Sequence, residues 1–188
     1  MDTFCNASIK KLKANLALAA SHDVFIAGIV SKVRHEIAKN GNPYGRFTLE
    51  DFDEAIELSL FKEDYLKFKH MLIDDAIVFV KLRTALRYGT TDQYEPRIQR
   101  ISLLSDVMDE QSKGLILQVP IDNLNEPLTN HIIDVLKRNK GNTKVRVEFF
   151  DFVNNYRVET ASSQHKVVCS SAIRQLRLMP GINIRVKT

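Results

Sequence analysis

The sequence has few of the features that mark disulfide-stabilised, zinc-binding or membrane-spanning proteins. Its two cysteines, Cys5 and Cys169, are far apart and show no C-x-x-C spacing, so neither a disulfide framework nor a zinc site is indicated. No apolar run approaches the roughly 18 residues of a transmembrane helix, and the segment 16–20 is too short for a signal peptide. We therefore expect a soluble, cytoplasmic protein with no membrane partner.

The sequence also lacks the short motifs that accompany common catalytic centres. It contains no P-loop, no G-x-G-x-x-G and no G-x-S-x-G. Its five histidines have neither the H-x-x-x-H nor the H-x-E spacing of metal sites: His22, His35, His70, His131 and His165. We accordingly predict no catalytic residues, no metal and no cofactor in this chain.

The charge balance favours a polyanionic partner without requiring one. Lys and Arg number 27 and Asp and Glu 23, which gives a net charge of +4, and the pI is near 9.0. At 188 residues with 44% hydrophobic residues, the chain is long enough for one large domain or two small ones.

The first half of the chain alternates in the manner of strands, with one interruption by a helix. Strands are predicted at 23–38, 44–49, 56–60, 75–87 and 96–104, and a helix at 62–72. A change of apolar parity inside the first strand predicts a bulge at Gly28. Three strands, a helix and two strands in about 80 residues are the order of an OB-fold, a five-stranded Greek-key barrel.

The remaining segments are assigned around this barrel. Residues 1–22 are predicted to be a helical lead-in without a partner of its own, as expected at the boundary of a fragment. The barrel occupies 23–104, and the polar run 105–114 is predicted to be a linker. Residues 115–188 alternate between strands and helices and form a predicted α+β domain. The predicted fold class is thus mainly β plus α+β.

The segment from Ile26 to Arg83 is similar to the OB-domain of bacterial replicative DNA polymerase III alpha subunits. The resemblance lies in Ala27–Val30, Lys39–Pro43, Thr48–Asp51 and Glu57–Phe61. Residues 115–188 resemble the C-terminal domain of those subunits in the order of their elements.

This resemblance implies a role in replication without chemistry of its own. It implies that the OB-domain binds single-stranded template DNA, that the following domain docks the tau subunit of the clamp loader, and that the chain works within the polymerase III holoenzyme. It implies as well that the parent protein is a DNA-directed DNA polymerase, and hence a nucleotidyltransferase, whose catalytic palm lies outside this sequence.

The predicted nucleic-acid-binding residues lie on the second and fourth strands and on the loops that bracket them, where an OB barrel combines cations with stacking side chains. They are Arg34, His35, Lys39, Asn42, Tyr44, Arg46, Phe79, Lys81, Arg83, Arg87 and Tyr88. The competing interpretation is that the cations are merely solvated and that Phe79 is covered by a neighbouring element.

Two further patterns are interpreted as structural. Glu57–Phe61 resembles a sliding-clamp-binding peptide, but its alternation favours a strand of the barrel core. The acidic run 50–54 suggests metal ligands, but four acids in one turn favour a solvated hairpin tip. Two other functions remain as alternatives: a barrel that docks proteins without binding DNA, and an anticodon-binding barrel or nuclease.

Overall fold

The computed structural model describes residues 3–17, 20 and 22–188, which form two compact units, 1–107 and 108–188. Among the described residues, no helix has the length and apolar character needed to cross a membrane.

The first unit contains a five-stranded antiparallel sheet. Its elements are α1 (Ile9–Ala14), β1 (Val24–Ile37), β2 (Pro43–Glu50), β3 (Ala55–Phe61), α2 (Lys62–Phe68), β4 (Ile77–Leu86), β5 (Tyr94–Leu103) and the start of α3 (Leu104–Gln111). The strand order is β3-β2-β1-β4-β5, and the edge strands β3 and β5 also contact each other. The sheet therefore curls into the predicted Greek-key barrel.

Strand β1 belongs to both halves of the barrel. Its first half pairs with β4, from Val24 opposite Leu82 to Ile29 opposite Ile77. Its second half, from Ile29 to Ile37, pairs with β2. The outward residues of β2 and β4 therefore lie on opposite sides of β1.

The predicted bulge at Gly28 is wrong. The register shifts between Ser31 and Arg34, where Lys32 adopts a φ of 54°. Gly28 is required for a different reason, because a Cβ there would lie 2.4 Å from the carbonyl oxygen of Glu50 on β2. Ile29, which suggested the change of parity, is simply an exposed apolar residue on the outer face.

The barrel core is closed by a helix at each end. At one end α2 places Tyr65 and Phe68 in the core, and a Cβ at Gly45 would collide with the Tyr65 ring. At the other end α1 buries Ile9 and Leu12 completely or nearly so. The helix α1 is thus shorter than the predicted lead-in and has a partner, since its apolar face fills the end of the barrel.

Residues 105–114 are not an irregular linker. Most of them belong to α3, and the last begins a strand. Within the first unit, Leu104 and Val107 of this helix pack against Phe79 on β4. The spacing of these apolar residues is three, which suits one face of a helix.

The second unit is a four-stranded sheet with two helices over one face, in agreement with the predicted α+β class. Its elements are β6 (Gly114–Pro120), α4 (Glu126–Arg138), β7 (Lys140–Asp151), β8 (Tyr156–Val167), α5 (Cys169–Leu176) and β9 (Asn183–Lys187). The strand order is β8-β7-β6-β9, with β6 and β7 parallel. Alternate residues such as Leu115, Val145 and Ile184 pack towards the helices, which leaves the other face of the sheet uncovered by them.

Candidate nucleic-acid interface

Two aromatic rings lie together on the outer face of β2 and β3. Tyr44 and Phe61 are paired in register, and their rings stack with centroids 5.7 Å apart and planes at 22°. Phe61 is 50% exposed, so part of its ring remains available. Exposed flat rings of this kind are the surfaces on which bases of a single strand stack.

Two arginines lie next to this pair. Arg34 on β1 and Arg46 on β2 are direct cross-strand partners, and both are exposed. The Arg46 guanidinium lies 5.5 Å from the centroid of the Tyr44 ring. Neither arginine forms an ion pair with any residue that the structure describes. Like charges directly opposite each other destabilise a sheet, so this position favours an anionic ligand.

A cleft continues from the aromatic pair towards the β1–β2 loop. It has a volume of about 540 Å³, and besides Tyr44 and Phe61 its lining includes Asn42, Lys62 and Arg97. Arg97 reaches it from β5 while forming an ion pair with Glu95 at 2.5 Å. Lys39 lies exposed in the adjoining turn. The cleft thus adds cations from three separate elements to the aromatic surface.

Acidic groups limit the charge of this face. Glu36 accepts a hydrogen bond from the Tyr44 hydroxyl, and this bond raises the pKa of Tyr44 above its usual value. The bond also holds the phenol ring in place. Glu63 and Asp64 line the far side of the cleft. These acidic groups reduce the positive charge that the face offers to an anionic ligand.

Residues 24–104 match the family described as OB-fold nucleic acid binding domain, of the tRNA anticodon type. The first unit contains an OB-fold domain. The chain is similar to DNA polymerase III alpha subunits, with 28% identity to that of Saccharopolyspora erythraea over 69% of this chain and 27% to that of Mycobacterium tuberculosis over 66%. It spans only 11% and 10% of the length of these relatives.

Among solved structures, the mitochondrial single-stranded DNA binding protein of S. cerevisiae is similar with a TM-score of 0.33 and 22% identity. That likeness covers 44% of this chain and 95% of the other. The family match and the barrel topology, rather than this distant likeness, establish the OB-fold domain.

The structure does not bring the predicted β4 residues of the OB-fold domain to the aromatic pair. Lys81 and Arg83 point outward as predicted, but β1 separates β4 from β2. Both form ion pairs with Asp23, at 2.6 Å and 2.5 Å. Hydrogen bonds from Lys81 and then Arg83 lower the pKa of Asp23, so this carboxylate stays ionised and holds both cations.

Phe79 is covered, as the competing interpretation held. It is 9% exposed and packs in a small cluster with Phe25, Ala27 and Val107. Its ring stacks on Phe25 at 5.7 Å. A base cannot reach the face of this ring, so Phe79 is removed from the candidate interface.

The remaining predicted residues lie around the edges of the domain. The ring of His35 interacts with the Tyr65 hydroxyl at 3.1 Å, which ties it to α2. Arg87 and Tyr88 lie in the loop between β4 and β5, and Tyr88 is 98% exposed. Nothing holds the Tyr88 ring in one orientation among the contacts of the described residues.

Sequence reasoning missed Phe61 and Arg97. Phe61 lay inside the clamp-like motif and was assigned to the core, yet only Leu58 and Leu60 of that strand are buried. The alternation itself contained the signal, because it places Phe61 opposite the outward Tyr44. Arg97 had no such signal, since the approach of β5 to β3 appears only in the closed barrel.

The acidic turn is structural. The Asp51 carboxylate accepts hydrogen bonds from the backbone N–H groups of Ile9, Asp53 and Glu54, at 2.8 to 3.0 Å. Burial raises the pKa of Asp51, but these three donors outweigh it and the net shift is downward. Both Asp51 oxygens are therefore engaged, Oδ2 by α1 and Oδ1 by the backbone of the turn.

Proposed function

We propose that this OB-fold domain binds single-stranded DNA across β1, β2 and β3, as a template-binding part of a replicative polymerase III alpha subunit. The observation that carries the proposal is the stacked Tyr44–Phe61 pair, in which Phe61 is half exposed, beside two arginines that have no carboxylate partner among the residues that the structure describes. Stacking contributes about 1–3 kcal/mol per base, and the arginines supply phosphate contacts.

Fluorescence anisotropy with labelled oligo-dT tests this proposal on the full chain. Phe61→Ala is expected to weaken binding by about 5- to 150-fold, the equivalent of one lost stacking contact. The matched control is Phe52→Ala, because Phe52 is 88% exposed at the β2–β3 turn, away from this face. Equal affinities of the two variants, or no binding of the wild type at low salt, would favour the alternative of a protein-docking barrel.

We infer further that the chain contributes no catalytic residues to the polymerase. Among residues 3–17, 20 and 22–188, no three or more His, Cys, Asp or Glu side chains lie together as a metal site would need. Nucleotide incorporation and nuclease assays with added Mg²⁺ are expected to show no turnover. Turnover that survives repurification and is lost on a substitution in the acidic turn would refute this.

A cytoplasmic location belongs to the same proposal.

A second proposed role, docking of the tau subunit, rests on the resemblance and on one feature of the second unit. A groove of about 670 Å³ lies between the start of α4 and the segment after α5, and its lining includes Leu128, Leu178 and Met179. Leu178 is exposed despite its apolar side chain. The lining is mixed, since Asp122, Asn125 and His131 also contribute to it, and a partly apolar groove of this kind suits a docked peptide segment.

Calorimetry with the C-terminal part of tau tests the docking role. Leu178→Asp is expected to weaken binding at least tenfold, because it places a charge in an apolar interface. Val153→Asp is the control, since Val153 is equally exposed but lies in the β7–β8 turn. Unchanged affinity for Leu178→Asp would exclude this groove as the docking site.

A further inference from the structure

The uncovered face of the second sheet is strongly basic. Six outward positions on β7, β8 and β9 carry cations and two carry acids; they are Lys144, Arg146, Arg157, Lys166, Arg185 and Lys187, with Glu148 and Glu159. Six minus two leaves +4 on this face, and 27 minus 23 for the whole chain is also +4. All other parts of the chain together are therefore formally neutral.

Three lysines form a row across this face. Lys144 on β7 pairs with Lys166 on β8, and Gly114 on β6 separates Lys144 from Lys187 on β9. All three lysines are exposed, and none forms an ion pair with a described residue. Neighbouring strands are about 4.8 Å apart, so the row brings like charges close together. The repulsion between these lysines destabilises the sheet, and an anionic ligand would relieve it.

Two of the three arginines on this face are arranged around a single buried acid, and the third, Arg146, forms an ion pair with Glu159 at 2.6 Å. Glu148 is 3% exposed and accepts a hydrogen bond from Gln118 at 2.8 Å. Arg185 and Arg157 approach its carboxylate at 3.5 and 3.7 Å. Two arginines thus share one carboxylate, and both remain more than half exposed. Glu148 fixes their positions while leaving guanidinium donors available to solvent or a ligand.

Aromatic rings adjoin the basic face at one end. Phe150 lies opposite Arg157 in register, on the outward side. Phe152 packs edge-on against it, with centroids 4.3 Å apart at 78°, and is itself largely exposed. A row of cations alone suits any polyanion, whereas cations beside exposed rings suit unpaired nucleotides, whose bases stack while their phosphates meet the cations.

We infer that this sheet face, defined by the six cations and Phe152, is a second binding site for single-stranded nucleic acid. The site lies in a different unit from the OB-fold interface and uses none of its residues. Its existence does not depend on the function proposed for the OB-fold domain. The three lysines with Arg157 and Arg185 supply phosphate contacts, and Phe152 with Phe150 supplies the stacking surface.

The test measures oligo-dT binding by the full chain as a function of salt. The sheet variant is Lys144→Gln with Lys166→Gln and Lys187→Gln. Each lost phosphate contact lowers the slope of log affinity against log salt by about 0.7 for single strands, so a decrease of about 2 is expected. The matched control removes three exposed cations from the helices, by Lys137→Gln, Arg138→Gln and Arg174→Gln. The slope of this control is expected to stay close to the wild-type value.

Both variants are also made in the Phe61→Ala background, which separates the two sites. If Phe61→Ala has no effect but the sheet variant does, the OB-fold proposal fails and this inference stands. If the sheet variant matches its control in both backgrounds, the inference is overturned.

Comparison with duplex DNA and with polyglutamate distinguishes the class of ligand. Phe152→Ala is expected to weaken oligo-dT binding at least fivefold and to leave the binding of duplex DNA unchanged. Equal binding of duplex and single strand, with no effect of Phe152→Ala, would overturn the single-strand assignment. Displacement of the oligonucleotide by polyglutamate at equal charge would indicate an acidic protein partner and would also overturn it.

Discussion

Arg34→Gln is expected to change stability and DNA affinity in opposite directions. Arg34 lies directly opposite Arg46 across β1 and β2, and neither has a carboxylate partner among the described residues. Removing one charge relieves a repulsion worth about 0.2–1 kcal/mol for cross-strand pairs. At about 2–4 °C per kcal/mol for a chain of this size, the melting temperature should rise by about 0.4–4 °C. The gain should disappear near 1 M salt, where the Debye length falls to about 3 Å.

The same substitution should weaken DNA binding. One phosphate contact to a single strand contributes about 0.7 to the slope of log affinity against log salt. Over the twentyfold range from 1 M to 50 mM salt, this amounts to a factor of about eight in affinity. Anisotropy titrations with oligo-dT at several salt concentrations measure both the affinity and the slope. Thermal melts of the same samples measure the stability.

The matched control is Arg83→Gln on β4. This arginine has the same charge but is held by Asp23, so its loss should leave DNA affinity unchanged and reduce stability by at most about 1 kcal/mol. If Arg34→Gln lowers stability, or if both variants weaken binding equally, the assignment of the interface to β1, β2 and β3 is wrong.

Three other predictions concern the frame that supports the interface. Gly28→Ala should destabilise the protein by about 1–3 kcal/mol or more in urea titrations, because its Cβ would lie 2.4 Å from a backbone oxygen. Gly114→Ala, whose Cβ would have 3.7 Å to the nearest atom, should change stability by under about 1 kcal/mol. If α1 fills the barrel, Leu12→Ala should lower the free energy of unfolding by about 2–5 kcal/mol in the same titrations. A decrease under about 0.5 kcal/mol would show that this helix does not pack in the core. Because the folded pKa of Asp51 lies below its usual value, its stabilisation is complete above pH of about 4 and is lost as pH falls through the folded pKa. The advantage of wild type over Asp51→Asn should therefore shrink in acid, and an advantage that grows in acid would contradict the hydrogen bonding of this turn.

Much of the barrel could be predicted from the sequence because its strands are buried on one face only. Phe47 and Leu49 point inward and Tyr44 and Arg46 outward, as the alternation of β2 predicts. Such alternation reports the environment of each residue within its own strand. Strand positions were accordingly correct to within a few residues.

The errors arose where distant segments decide the outcome. The bulge predicted at Gly28 was wrong because it assumed that Ile29 is buried, and a sequence does not distinguish an exposed apolar residue from a buried one. Phe79 has the outward parity of a binding residue, but α3 covers it, and the polar composition of α3 hid its helical spacing. The lysine row of the second sheet appears only after strands far apart in sequence are paired. Sequence patterns within one strand contain no information about these neighbours.

The helix α1 changes where the first unit can be cut. A protein shortened to begin at residue 23 would keep all five strands. Without Ile9 and Leu12, however, apolar core residues at one end of the barrel would be exposed to solvent. Such a truncation is expected to aggregate during purification, even though every residue of the face proposed to bind DNA is still present.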